Sequence, residues 1–280
     1  MKTPKRLETL VEEGLIDEVL QQLMSGKEAA VFVVRCGEEI RCAKMYKEVH
    51  QRSFRQAANY QEGRTVKNSR QARAMQKGTR YGRQMQEEVW QNAEVDALFK
   101  LANAGVRVPQ PFICYEGVLL MELICDADGN VAPRLNDVQF TQEQALEYHA
   151  FLIRQVVLML CAGIIHGDLS EFNILLDETG PVIIDLPQAI NAAGNNQAAI
   201  MLERDCQNIA IYFSQFAPEL ARTHYGKEIW NLYSQGLLTS ETLLTGHVAE
   251  DQSVTDVAAI LDDIEEVRLE HEALMSRLAQ

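Results

Sequence analysis

The stretch Ile164-Ile165-His166-Gly167-Asp168-Leu169-Ser170-Glu171-Phe172-Asn173-Ile174-Leu175-Leu176, followed by Ile183-Ile184-Asp185, constrains this chain more than any other. Apolar runs on either side read as short strands, so the polar residues between them sit on a loop held at both ends. Asp168 stands five residues before the amide Asn173, and a second acid, Asp185, follows the next apolar run. An acidic turn between two buried strands accounts for the apolar flanks. It does not account for acid, amide and acid falling in this order.

The order has a chemical meaning. Phosphoryl transfer needs a carboxylate to orient the acceptor hydroxyl, and an amide oxygen plus a carboxylate to hold a metal ion on the triphosphate. H-x-D-x-x-x-x-N followed by Asp is the spacing of the catalytic loop and metal-binding strand of protein kinases.

At 280 residues the chain can bury a large core, as one bilobed domain or two small ones. No apolar run reaches the length of a membrane span, and Met1-Lys2-Thr3-Pro4-Lys5 opens no signal-peptide core, so no membrane contact is expected. The six cysteines lack metal-like or redox-like spacing and read as reduced, mostly buried thiols of a cytoplasmic protein. The net charge of −14 is unevenly spread. Residues 41–83 hold twelve Lys and Arg against Glu48 and Glu62, a local +10 that leaves −24 elsewhere. Overall acidity argues against general nucleic-acid binding, while a local basic patch leaves it open.

Along the chain, the apolar stripe from Leu7 to Leu23, interrupted at Gly14, predicts two short helices. Short β-like runs follow from Ala29 to Val34 and from Ile40 to Tyr46. The basic stretch 47–83 reads as a loop with weak helices, and 86–104 as a firm helix ending at Gly105. A hairpin around Glu116-Gly117 leads into a polar linker, Asp126–Pro133. Thr141 caps a long helix reaching Ala162, and strands are expected at 174–177 and 182–185. The remainder is largely helical and closes with an acidic amphipathic helix. The expected layout is α+β. A helical lead-in covers 1–24, a β-rich lobe with the basic insert 25–124, and a helical lobe 125–280.

Other residues fit the same chemistry. Lys44, in the run Arg41–Tyr46, is one inward-facing cation that can neutralise phosphates if a carboxylate orients it, and Glu94 is the candidate partner. By itself a strand lysine is more often a solvated face residue; the loop downstream reverses that choice. Ser25-Gly26-Lys27-Glu28 lies where a phosphate-covering loop belongs, yet it is neither G-x-G-x-x-G nor a Walker A motif. Met121-Glu122-Leu123-Ile124 ends a strand before the linker, where backbone groups can meet an adenine edge; an edge strand entering a linker fits equally well.

Taken together, Ser25–Ala29, Ala43-Lys44-Met45-Tyr46, Trp90 before Glu94, Met121–Ile124, His166–Asn173 and Ile183–Asp185 fall in the order of the RIO-family atypical kinases. Leu202–Ile209 also resembles a RIO segment. Glu13–Asp17 and the long basic insert are similar to the type-one subfamily, and the likeness covers about residues 7–216. The resemblance implies a kinase-like fold without a typical activation segment, and an ATP- and Mg²⁺- or Mn²⁺-dependent serine/threonine kinase that phosphorylates itself and hydrolyses ATP. It assigns Ser25, Lys27 and Glu28 to the phosphate loop, Lys44 and Glu94 to an ion pair, and Glu122 and Ile124 to adenine. Asp168 becomes the catalytic base and Asn173 and Asp185 the metal ligands, with Asp185 as the site of any aspartyl-phosphate. It also implies a part in small-subunit ribosome maturation, with RNA or an acidic partner docking on the basic insert; a solvated loop is the other reading of that insert.

Two positions depart from ordinary kinases. Gly167 replaces the arginine that holds a phosphorylated activation loop, and Ser170 replaces a lysine near the γ-phosphate. Loss of that cation favours ATP hydrolysis over protein phosphorylation, so an ATPase switch in ribosome assembly stands beside the protein-kinase reading. A small-molecule kinase of the aminoglycoside or choline type shares the loop; Glu28-Ala29 and the basic insert argue against it. Asp205 is expected to bond the catalytic-loop backbone or to lie on the surface.

Overall fold

Alternation of side chains across two packed faces organises the first half of the molecule. The computed structural model describes residues 3–26, 28–47 and 93–247. Helix α1, Lys5–Glu12, precedes strands β1, Glu18–Ser25, β2, Ala29–Cys36, and β3, Glu39–Tyr46. A helix at 93–103, α2, is followed by β4, Pro111–Tyr115, and β5, Val118–Glu122. The five strands form one antiparallel sheet in the order β1-β2-β3-β5-β4.

Residues two apart on a strand share a face, and the burial follows that rule. Ala30, Phe32 and Val34 of β2, Ala43 of β3, and Val118 and Leu120 of β5 pack with Leu7, Leu10 and Ile16 on one side. Tyr46 and Leu119 belong to the opposite side, with Val95, Leu98 and Leu101 of α2. Leu7 and Leu10 are fully buried, and each stabilises the lobe by roughly 2 kcal/mol.

The expected second helix of the lead-in is absent. Residues 18–25 form β1, which pairs with β2, so the sheet begins before residue 25. The register of β1 shifts between Val19 and Gln21 and again between Gln22 and Met24. Each shift inserts a residue and breaks the period-two pattern, leaving apolar side chains at spacings that imitate a helix.

The helical half is built on α3, Gln142–Cys161. Thr141 accepts from the Gln144 N–H at 3.2 Å, and the Gln144 side chain accepts from the Thr141 N–H at 3.0 Å. This reciprocal capping box fixes where the helix starts. Leu152, Val156 and Leu160 lie on its buried side. Two short ladders follow: β6, Ile164–Ile165, pairs with β9, Ile190–Asn191, and β7, Ile174–Asp177, pairs with β8, Gly180–Ile183. The expected strand at 182–185 therefore lies two residues earlier, and Ile184 and Asp185 have left it.

Helix α4, Ala198–Phe213, packs against α5, Tyr225–Ser234. Gly226 permits the close approach, because a Cβ there would stand 2.6 Å from the Glu203 Cα. The linker 126–133 is a folded turn: the Asp126 side chain accepts from the Asp128 and Asn130 N–H groups, and the Ala132 N–H donates to the Ile124 carbonyl. Of the cysteines, Cys42 and Cys206 are buried, while Cys114 and Cys161 are exposed and Cys36 and Cys125 half-buried, so the expectation of mostly buried thiols fails. The bulk of the basic insert, Trp90, and residues 248–280, where the acidic helix is expected, lie outside the described residues. Among the described residues no helix is long and apolar enough to cross a membrane.

Candidate active site

Three backbone elements converge on one charge cluster. Lys44 projects from β3 on the α2 side of the sheet, where Glu94, in the first turn of the described part of α2, is almost fully buried. The Lys44 Nζ donates to Glu94 Oε1 at 2.6 Å and to Asp185 Oδ1 at 2.9 Å. Burial alone would lower the lysine pKa; the two carboxylates outweigh it and raise it well above the ordinary value. Asp185 experiences the reverse balance. Burial would raise its pKa, and the Lys44 ammonium holds it below the usual carboxylate range.

Tyr46, two residues after Lys44 on the same face, places its ring centroid 5.7 Å from the Lys44 Nζ, and burial together with the nearby Glu94 carboxylate raises the pKa of its hydroxyl. It is a participant that the sequence did not suggest. A tyrosine in a strand normally reads as core, and only the fold shows which acid lies above it.

Opposite this cluster, the loop 166–173 runs from β6 to β7. Gly167 adopts φ +81, a left-handed conformation that favours glycine, which explains its presence where ordinary kinases carry arginine. Buried Asp205 of α4 accepts from the Gly167 N–H at 2.7 Å and the Leu169 N–H at 3.0 Å. Burial raises the Asp205 pKa to about 7 against the opposing pull of those two bonds. Arg204 donates to the Gly167 carbonyl, and Asn208 Nδ2 donates to the Leu169 carbonyl at 3.0 Å. One turn of α4 thus grips the loop by its main chain, and the surface alternative for Asp205 is excluded.

His166 is buried; its Nε2 lies 3.1 Å from the Ile184 carbonyl, and its Nδ1 accepts from the Asp168 N–H at 3.3 Å. This pairing assigns a neutral ring with its proton on Nε2, in accord with burial lowering its pKa. Asp168 is half-buried, and burial raises its carboxyl pKa, with Arg204 opposing and Asp185 adding to the rise. Its Oδ2 accepts from Gln188 Nε2 at 3.1 Å, another contact the sequence did not signal.

The two candidate metal ligands meet across the β7–β8 hairpin. The Ile184 N–H donates to the Asn173 carbonyl at 3.0 Å, continuing the ladder and bringing Asn173 beside Asp185. Asn173 Nδ2 donates to the Asp168 carbonyl at 2.9 Å, which commits its amide nitrogen and leaves Oδ1 as the donor atom for a cation. Asp185 adopts φ +66, a conformation rarely taken by non-glycine residues. An amide oxygen and an ionised carboxylate form a hard-oxygen set that fits Mg²⁺ or Mn²⁺ shared with phosphate oxygens.

The other expected positions surround the cluster. Ser25 closes β1, where its Oγ lies 3.0 Å from Lys47 Nζ, which also donates to the Gly26 carbonyl at 2.6 Å. Glu28 is exposed, and its carbonyl accepts from the Lys47 N–H at 2.8 Å. Lys27 lies outside the described residues. Glu122 ends β5; its N–H donates to the Gln110 carbonyl at 2.8 Å, and its side chain accepts from the Gln110 N–H at 3.0 Å and from Arg107. Arg107 also binds Asp177 of the β7–β8 hairpin, tying the β5 end to the helical half. Ile124 packs with Ala132 and Val182 in a small apolar cluster against Leu175.

Comparison with known proteins agrees with this geometry. The RIO domain model matches residues 30–225, most of the chain. The chain is 34% identical over 209 residues to the RIO-type serine/threonine-protein kinase Rio1 of Haloferax volcanii, covering 73% of this chain and 66% of that protein. It is 27% identical over 266 residues to the serine/threonine-protein kinase rio1 of Dictyostelium discoideum, covering 94% and 42% respectively. The serine/threonine-protein kinase RIO1 of Homo sapiens is 28% identical over 236 residues, covering 84% of this chain and 39% of its own length. The chain therefore spans less than two thirds of the length of each of these relatives. With the matched span enclosing Lys44, Glu94, Asp168, Asn173, Asp185 and Asp205, the chain belongs to the RIO-domain family of kinase-like proteins.

Proposed function

We propose that this chain is an ATP-dependent serine/threonine protein kinase that transfers the γ-phosphoryl group to Ser or Thr, its own included. The observation that carries the reading is Lys44 bonded to both Glu94 and Asp185 beside a loop that presents Asp168 and Asn173. The names of the relatives support it, since they are called serine/threonine-protein kinases.

In this reading Lys44, already aimed by Glu94, neutralises phosphate oxygens of ATP. Asn173 Oδ1 and Asp185 would hold Mg²⁺ or Mn²⁺, which supplies charge neutralisation on the transferring group. Asp168 orients the acceptor hydroxyl and receives its proton as the new P–O bond forms and the bond to the bridging oxygen of ADP breaks. Ser25, Lys27 and Glu28 cover the phosphates, and the Glu122 carbonyl and Ile124 N–H meet the adenine edge. Ser170 in place of a lysine favours a second reading, in which the same site acts chiefly as an ATPase switch in ribosome assembly, with the basic insert contacting RNA or a ribosomal particle. Both readings place the protein in the cytoplasm.

Mass spectrometry of the protein after incubation with ATP and Mg²⁺ or Mn²⁺ tests the proposal. Phosphate on Ser or Thr, lost in Asp168→Ala and Asp185→Ala, supports the kinase. Transfer that persists in both variants refutes it. ATP turnover far above phosphoprotein formation, stimulated by ribosomal particles, favours the switch.

A further inference from the structure

The catalytic loop and the segment after Asp185 are two arms of one small ladder. Strand β6 runs directly into the loop, and Asp168 lies three residues beyond it. Strand β9 pairs with β6, with Ile165 opposite Ile190, and Gln188 lies two residues before Ile190. Between Asp185 and β9 the chain makes a tight turn, Leu186-Pro187-Gln188-Ala189, closed by the Ala189 N–H donating to the Leu186 carbonyl at 3.0 Å. Proline at the second position presets that turn, and Leu186 anchors it in the core. Gln188 is therefore delivered by a rigid backbone, and its Nε2 reaches Asp168 Oδ2 at 3.1 Å.

We propose that Gln188 is the positioning residue of the catalytic base, an inference that rests on reading Asp168 as that base. Its amide pins one carboxylate oxygen and turns the other toward the acceptor hydroxyl. The chemistry of the donor matters. A cation at this place would stabilise the carboxylate charge and blunt its basicity, whereas a neutral amide fixes its orientation at a smaller loss of proton affinity. The Gln188 amide bonds Asp168 Oδ2 directly, beside the charge of Arg204, which pulls the Asp168 pKa down. It offsets the absence of a lysine at Ser170 in orientation, though not in charge.

Two variants of matched size separate this role from packing. Gln188→Met keeps the length and removes the donor; Gln188→Glu keeps the shape and replaces the donor with a charge that repels Asp168. Single-turnover autophosphorylation with labelled ATP should fall about tenfold in Gln188→Met and about a hundredfold in Gln188→Glu. The dissociation constant of a fluorescent ATP analogue should stay within about twofold of the parent in both, since the amide does not act on nucleotide binding. A purely structural side chain gives the opposite ranking, because glutamate is the closer isostere. The proposal is overturned if both variants transfer at the parent rate, if Gln188→Glu outperforms Gln188→Met, or if the loss follows weakened nucleotide binding. Undiminished transfer in Asp168→Asn overturns the reading of Asp168 as base and this proposal with it. Asp168-dependent transfer with unaffected Gln188 variants overturns the proposal alone.

Discussion

Lys44 and Asp168 face the same cleft but are held by different forces. Lys44 is aimed by side-chain charge alone: one carboxylate from α2 and another from beyond β8. Asp168 rides on a loop whose main chain is gripped by Asp205, Arg204 and Asn208 of a single helix. A salt bridge can exchange partners when a more highly charged group arrives, and in the proposed reading Asp185, about half exposed, is the carboxylate that Lys44 releases to phosphate. Backbone hydrogen bonds to a buried acid have no such alternative. The difference teaches that the loop is held by its main chain, while the cation is held by ion pairs that can rearrange.

The largest expected effect strikes the side held by its main chain. Asp168→Ala should lower phosphoryl transfer about a thousandfold and leave affinity for an ATP analogue within about twofold, because the loop stays clamped. An accompanying loss of nucleotide binding would break the comparison. Lys44→Met comes next, with transfer down about a hundredfold and ATP binding weakened too, as expected of a group that meets phosphate in the ground state. Measuring both constants in both variants sharpens the contrast.

Asp205→Asn tests the clamp itself. An asparagine turns an amide donor toward one of the two loop N–H groups, so unfolding free energy should fall by about 2 kcal/mol in urea denaturation. The loss should also depend on pH. The folded pKa of Asp205, about 7, exceeds its ordinary value of 3.8, so the folded protein binds the extra proton between those values. Its stabilising contribution is complete below about pH 4 and is lost as pH rises through about 7. The gap between parent and variant should therefore narrow from pH 5 to pH 8; a constant gap excludes titration of Asp205. The smallest effect belongs to Tyr46→Phe, which removes a buried hydroxyl beside the Lys44–Glu94 pair and should slow transfer about fivefold, or about 1 kcal/mol.

Much of the site was legible because its spacing is local. Asp168 and Asn173 lie on one loop, Asp185 one hairpin later, and the apolar flanks announce the strands that hold them. Lys44 and Glu94 could be paired only through the order of the resembling segments, and the fold brings them to 2.6 Å. Gln188 and Tyr46 left no signal, because their partners are set by a β6–β9 ladder of two residues per strand and by sheet-to-helix packing. The positive φ at Asp185, just beyond β8, likewise left no signal in the sequence. The strand 18–25 resembles a helix in sequence because its two register shifts place Val19, Leu20 and Leu23 at helical intervals.

Those same irregularities in β1 have a bearing on solubility. β1 is an outer strand of the five-stranded sheet, and an outer strand with an even repeat of N–H and C=O groups would template the addition of another chain. Two interruptions within eight residues spoil that repeat, so a foreign strand could match only a few groups before falling out of step. The bulged border is thus a built-in guard against edge-to-edge aggregation.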